Sequence, residues 1–180
     1  MRKFVTRGLT LGLVGLLLIP ALATAHGPSR LKVMKEVEID ASPEKVWAVI
    51  SEFCSIQDWH PAIAKCESDG SHEKGTTRVL TLENGESFTE EMLKHNDEEM
   101  LYAYRITEPN HDAVPVGTYG STIDVNAGEN GGSVLSWKGF FYRAYPNNDP
   151  PPELSDEAAE NAIINIYDSG MASIKELAEQ

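Results

Sequence analysis

Two cysteines with a histidine midway between them, Cys54, His60 and Cys66, are the residues of this chain best equipped for chemistry. They lie in FCSIQDWHPAIAKC, residues 53–66, and no other cysteine occurs. A thiolate beside an imidazole is a nucleophile with its base, three soft donors are most of a zinc set, and two thiols alone can close a disulfide. A structural zinc site needs four ligands, and Cys-x5-His-x5-Cys supplies three at a spacing unlike the usual paired C-x2-C hooks. His26 could bind copper through a free amine and its ring if a second histidine approached, but His60, His72, His95 and His111 are scattered. No metal or other cofactor is therefore expected.

Acid and base groups must converge on one reacting centre. Glu90 and Glu91 are neighbours in a strand-like run, where adjacent side chains point to opposite faces. The chain carries no Gly-rich phosphate loop, no G-x-S-x-G and no H-E-x-x-H. A non-catalytic protein is the expectation.

The compartment decides what the cysteines do. Arg2, Lys3 and Arg7 flank the apolar GLTLGLVGLLLIP, which is short for a bilayer span, and Ala23-Thr24-Ala25 fits a small-x-small cleavage site. Residues 1–25 read as a signal peptide and 26–180 as one exported, periplasmic domain. In an oxidising compartment a Cys54–Cys66 disulfide is favoured over a reactive thiol, the alternative being two separately buried thiols. Cleavage leaves 155 of the 180 residues and, with three basic residues gone, moves the formal charge from −13 to −16. That charge argues against nucleic acid and anionic membranes as partners; it serves either solubility or encounter with a basic surface.

The elements that position these residues follow from periodicity. LKVMKEVEID alternates as a strand with Val33, Lys35, Val37 and Ile39 on one face. Ser42-Pro43-Glu44 then opens a short helix running to about Phe53. TTRVLTL and SFTEEMLK flank Glu83-Asn84-Gly85-Glu86, a type I′ hairpin signal. MLYAYRI, TYGSTIDV and SVLSWKGFFYR continue an antiparallel meander, and the proline-rich YPNNDPPPEL breaks it. From Ser155 a long helix carries Ala159, Ile163, Ile166, Tyr167, Gly170, Ile174 and Leu177 on one stripe. Gly170 there either widens a space or permits close packing.

A curved sheet and one long amphipathic helix bury each other best when the helix crosses the concave face, and a cavity is expected where the sheet curves away. The expected fold class is α+β, with a curved antiparallel sheet of six to seven strands wrapped on the C-terminal helix. Tyr102 and Tyr104 share a face with Ile106, Tyr119 with Ile123 and Val125, and Trp137 with Leu135 and Phe141. Such stripes build a core, and in a gripping sheet the same face lines a pocket. Met92, Ile163, Tyr167 and Met171 are further candidates for that wall.

The order of strand, SPEKVWAVI, FCSIQDWHP, LENGE hairpin, YAYRI and long C-terminal helix resembles the START/Bet v 1-like (SRPBCC) superfamily in its polyketide cyclase/dehydrase-like branch, over residues 31 to 178. The resemblance implies a helix-grip fold with a hydrophobic pocket. It puts Trp59-His60-Pro61 at the family's W-x-P turn, with Trp59 as pocket wall or core anchor. The cysteines are not part of that pattern. HGPS, VPVGTYGSTIDV, FYRAY and LSDEAAENAI resemble MxaD-like periplasmic proteins of methanol oxidation. That likeness implies a role in electron transfer between methanol dehydrogenase and its cytochrome c. The superfamily also leaves open carriage of a small hydrophobic ligand, or cyclase/dehydrase chemistry using Tyr104 or His60.

Overall fold

The computed structural model describes residues 27–180, so the expected signal peptide and His26 lie outside the described residues. β1 (Leu31–Ile39) is followed by α1 (Pro43–Ile50) and the single-turn α2 (Ile56–Trp59). β2 (Ile63–Ser68), β3 (Thr77–Leu82), β4 (Ser87–Asn96), β5 (Leu101–Glu108), β6 (Val116–Ala127) and β7 (Ser133–Arg143) form a meander, and α3 (Asp156–Glu179) closes the chain. The seven strands form one antiparallel sheet in the order β1-β7-β6-β5-β4-β3-β2. β1 and β2 are thus opposite edges, and α1 and α2 carry the chain from one edge to the other. The fold is the helix-grip architecture expected from the pattern.

Ser155 caps α3 by accepting a hydrogen bond from Ala158 N at 3.1 Å, and Asp156 and Glu157 favour the positive helix end. At 1.5 Å per residue its 24 residues reach about 36 Å. Ala159, Ile163, Tyr167, Gly170, Met171, Ile174 and Ala178 are buried. The stripe drifts round the helix, so Ile166 is half-buried and Leu177, expected inside, is 39% exposed while Ala178 takes its place.

Three local expectations change. α1 stops at Ile50, short of Phe53, because the Ser55 hydroxyl donates to the carbonyls of Val49 and Glu52 and so competes with helix continuation. Met100 has φ 48° in the β4–β5 turn and does not begin a strand. The β3–β4 connection has positive φ only at Gly85 (89°), not at Asn84. Gly85 N donates to Leu82 O and Leu82 N to Glu86 O, which is a three-residue loop with a bulge, not a type I′ turn. The difference shifts the strand register by one residue: the observed pairing sets Arg78 opposite Glu90, whereas a two-residue turn at Asn84-Gly85 would set it opposite Glu91.

On β6 a bulge between Gly117 and Gly120, with Thr118 at φ 49°, adds a residue so that Val116 and Tyr119 are both buried. Cys54 and Cys66 form a disulfide with Cα atoms 5.5 Å apart, tying the α1–α2 turn to edge strand β2. The bridge consumes both thiols, so neither is a nucleophile or a ligand. Closing a loop with a sequence separation of 12 restricts the unfolded chain by about 3 kcal/mol in the loop-entropy treatment. The Cys54→Ala/Cys66→Ala double variant is expected to lose about that much stability in urea unfolding while keeping its far-UV spectrum.

Candidate functional site

The inner face of the sheet and the buried face of α3 enclose a cavity of about 50 Å³. Leu80, Leu82, Phe88 and Ile106 supply its sheet side, Ile56 and Ile63 its near end, and Ile163 and Ile166 its helix side. Glu90, Tyr104, Tyr119, Trp137 and His60 bring polar atoms to the wall. The size follows from what fills the rest of the grip. Trp137 stacks on Tyr167 with ring centres 4.4 Å apart and planes 12° from parallel, and Trp59 meets Trp137 edge-on at 5.8 Å.

The hydroxyls between strands and helix form a directed chain. Ser121 Oγ donates to Lys138 O at 2.9 Å, so it accepts from Tyr167 OH at 2.9 Å and Trp137 Nε1 at 3.0 Å. Tyr167, having spent its proton on Ser121, accepts from Tyr119 OH at 2.8 Å. Trp137 Nε1 also reaches Tyr104 OH at 3.0 Å. Burial pushes Tyr102 and Tyr167 up to about 12 and Tyr104 and Tyr119 well above the ordinary phenol value. These phenols stay protonated near neutral pH and serve as hydrogen-bonding groups, not as bases.

Arg78 on β3 faces Glu90 on β4, and both are buried. Arg78 Nε donates to Glu90 Oε2 at 2.7 Å, Nη1 donates to Phe53 O, and Nη2 stands 2.6 Å from the same Oε2. Nη2 lacks an aligned acceptor and is the one fully enclosed side-chain polar atom among the described residues with no hydrogen bond. The guanidinium also lies 4.0 Å over the Phe53 ring and 5.1 Å from the Tyr104 ring centre. Burial raises the Glu90 pKa above its ordinary 4.5, and Arg78 opposes the shift. Glu91 points outward to Arg105 at 2.9 Å, so the two neighbouring glutamates do diverge.

His60 is buried with both ring nitrogens occupied. Ala62 N donates to Nδ1 at 3.1 Å, which leaves the proton on Nε2, where it is donated to Ile166 O at 3.0 Å. Burial pulls its pKa below the ordinary 6.5, the Ile166 carbonyl working the other way. His60 is thus a neutral brace between the α2–β2 turn and α3. Among the described residues no group of three or more His, Cys, Asp or Glu is placed to hold a metal ion.

The sequence profile described as polyketide cyclase/dehydrase and lipid transport matches residues 30–179. The chain belongs to this family. Among solved structures, the XoxI protein of Bacillus cereus is 32% identical, with a TM-score of 0.68 over 81% of this chain and 93% of its own. An uncharacterised protein of Bacillus thuringiensis is 31% identical, with a TM-score of 0.69 over 83% of this chain and 100% of its own. Norcoclaurine synthase of Thalictrum flavum, solved with dopamine and hydroxybenzaldehyde, shares the fold at 20% identity and a TM-score of 0.64, covering 94% of this chain and 96% of its own. No curated protein matches the chain. The family fold is the Bet v 1-like helix grip.

Within this family member the expected ten-residue pocket wall contracts. Tyr104, Tyr119, Trp137 and Ile163 face the cavity. Trp59, Met92, Tyr102, Phe141, Tyr167 and Met171 are buried in the core outside its lining. The sheet face is long, whereas the stacked rings let only its β3–β5 end remain open. The Arg78–Glu90 pair escaped the sequence reading, which weighed Glu90 only beside Glu91. The alternation of TRVLTL put Arg78 on the face of Leu80, but its partner depended on the turn type.

Gly170 closes the choice left open by the sequence in favour of tight packing. A Cβ there would stand 2.9 Å from both His60 Cδ2 and Trp137 Cζ3, and 3.1 Å from Trp59 Cζ3. Gly170→Ala gains about 1 kcal/mol of helix propensity but overpacks against stacked rings at about 1–3 kcal/mol, so a net loss in the urea midpoint is expected. For His60 the unfolded chain binds more protons as pH falls below 6.5, so its contribution is present above that value and declines below it. The stability gap between wild type and His60→Gln should therefore shrink as unfolding is followed from pH 7.5 downward through 6.5. A constant gap would mean that folding leaves the His60 pKa where it stands in the unfolded chain.

Proposed function

We propose that this protein is an exported, non-catalytic accessory factor of methanol oxidation that promotes the encounter of methanol dehydrogenase with its cytochrome c acceptor. The observation that carries the surface-acting part of this reading is the filled grip. Its free volume is about 50 Å³, against roughly 300–1,000 Å³ for sites that enclose drug-sized ligands. A polyketide-sized substrate has no room beside the Trp137–Tyr167 stack. His60 is held as a structural brace and the cavity phenols are poor bases, which favours a binding role over turnover. The negative charge of the chain suits a basic partner, and the HGPS, VPVGTYGSTIDV and LSDEAAENAI segments supply the likeness to methanol-oxidation proteins.

A second reading, carriage of a small ligand in the cavity, is favoured by the polar groups of Glu90 and Tyr104 in an otherwise apolar wall. The leading reading is tested with the purified mature protein, methanol dehydrogenase and cytochrome c. Association rates measured by surface plasmon resonance should fall steeply as ionic strength rises from about 0.01 to 0.15 M, where the Debye length drops from about 30 to about 8 Å. No association with either partner, or a rate indifferent to salt, would remove it.

A further inference from the structure

Two hydrogen-bonding groups with unused capacity line the same cavity. Glu90 directs both Arg78 contacts to Oε2, and Oε1 accepts no hydrogen bond among the described residues. Tyr104 OH accepts from Trp137 Nε1 and donates to none of the described residues. Glu90 pairs with Ile106 across β4 and β5, which makes Tyr104, two residues back on the same face, its diagonal neighbour at about 7–8 Å or less. Both residues line the cavity, and the remaining wall is mostly aliphatic.

The geometry points to a site for a short-chain aliphatic alcohol, whose hydroxyl donates to Glu90 Oε1 and accepts from Tyr104 while its carbons lie against Leu80, Phe88 and Ile163. The inference rests on the second reading above, that the cavity takes a ligand, and is independent of the protein partners. A hydroxyl is donor and acceptor at once and can serve both groups with a single atom. A carbonyl compound would satisfy Tyr104 but leave Glu90 Oε1 unpaired. A carboxylate would face Glu90, and a protonated amine would bring a second cation beside Arg78 and have no lone pair for Tyr104. Size sets the chain length. One water-sized group needs about 10–15 Å³, so about 50 Å³ holds roughly three or four heavy atoms, the scale of ethanol or 1-propanol.

The test uses amide and methyl NMR of the folded protein titrated with ethanol, 1-propanol and 1-hexanol, and separately equilibrated with xenon, which enters apolar cavities without hydrogen bonding. Saturable shifts at Leu80, Phe88 and Ile163 are expected, with affinity rising about fourfold from ethanol to 1-propanol and lost at 1-hexanol. Tyr104→Phe removes the donor and keeps the ring; Trp137 Nε1 retains Ser121 Oγ as acceptor. That variant should bind 1-propanol about tenfold more weakly and xenon unchanged. Xenon uptake without saturable alcohol binding, or alcohol binding indifferent to Tyr104→Phe, overturns the alcohol assignment and leaves ligand carriage standing. Exclusion of both probes from the wild-type cavity overturns the two together.

Discussion

Tyr167 lying flat on Trp137 is the contact on which the rest of the structure depends. It joins the middle of α3 to the middle of the sheet, and its depth is fixed by two glycines. Gly170 lets the rings of Trp59, His60 and Trp137 approach the helix backbone, and Gly139 leaves space at which a side chain would collide with the Tyr167 hydroxyl. A buried hydroxyl left unpaired costs more than a made hydrogen bond contributes. The run from Tyr119 through Tyr167 and Ser121 to Lys138 O therefore holds the helix in rotation as well as in depth.

With the grip seated this way, the family hollow becomes small and chemically uneven. Aliphatic groups cover most of it, and one end is set by a buried ion pair whose carboxylate has an oxygen to spare. Arg78 cannot shed its charge, so its burial requires Glu90, the Phe53 carbonyl and the faces of Phe53 and Tyr104 around it. A pair held at this cost in desolvation is a weak source of stability. Its clearer effect is to place a polar contact at one position in an apolar wall. The disulfide and the His60 brace work at the neighbouring end, fixing the α1–α2–β2 segment that supplies Ile56, Ala62 and Ile63 to the cavity.

The strands, the long helix and their order were legible because their signals are local. Alternation marks β1 and β3 to β7, Ser155 caps α3, and prolines break YPNNDPPPEL. The disulfide was favoured because the leader-like residues 1–25 implied an oxidising compartment, and two cysteines allow one pairing. The buried ion pair was hidden by a single residue of register. Asn84-Gly85 reads as a two-residue turn, yet only Gly85 takes positive φ, and the resulting loop pairs Arg78 with Glu90. Leu177 was misplaced because a 3.6-residue repeat drifts around a long helix, whereas the sheet it packs on does not turn at the same rate.

Residue types and their periods determined by themselves that a bent antiparallel sheet would close on the last helix, since crossing the concave face buries both apolar faces at once. The identity of the cavity was decided only by the tertiary structure. Whether an inward tyrosine is core or pocket wall depends on which rings stack first, and whether a glutamate is buried beside an arginine depends on a turn dihedral. Neither quantity is a property of a residue or its spacing; both arise when distant segments compete for the same space.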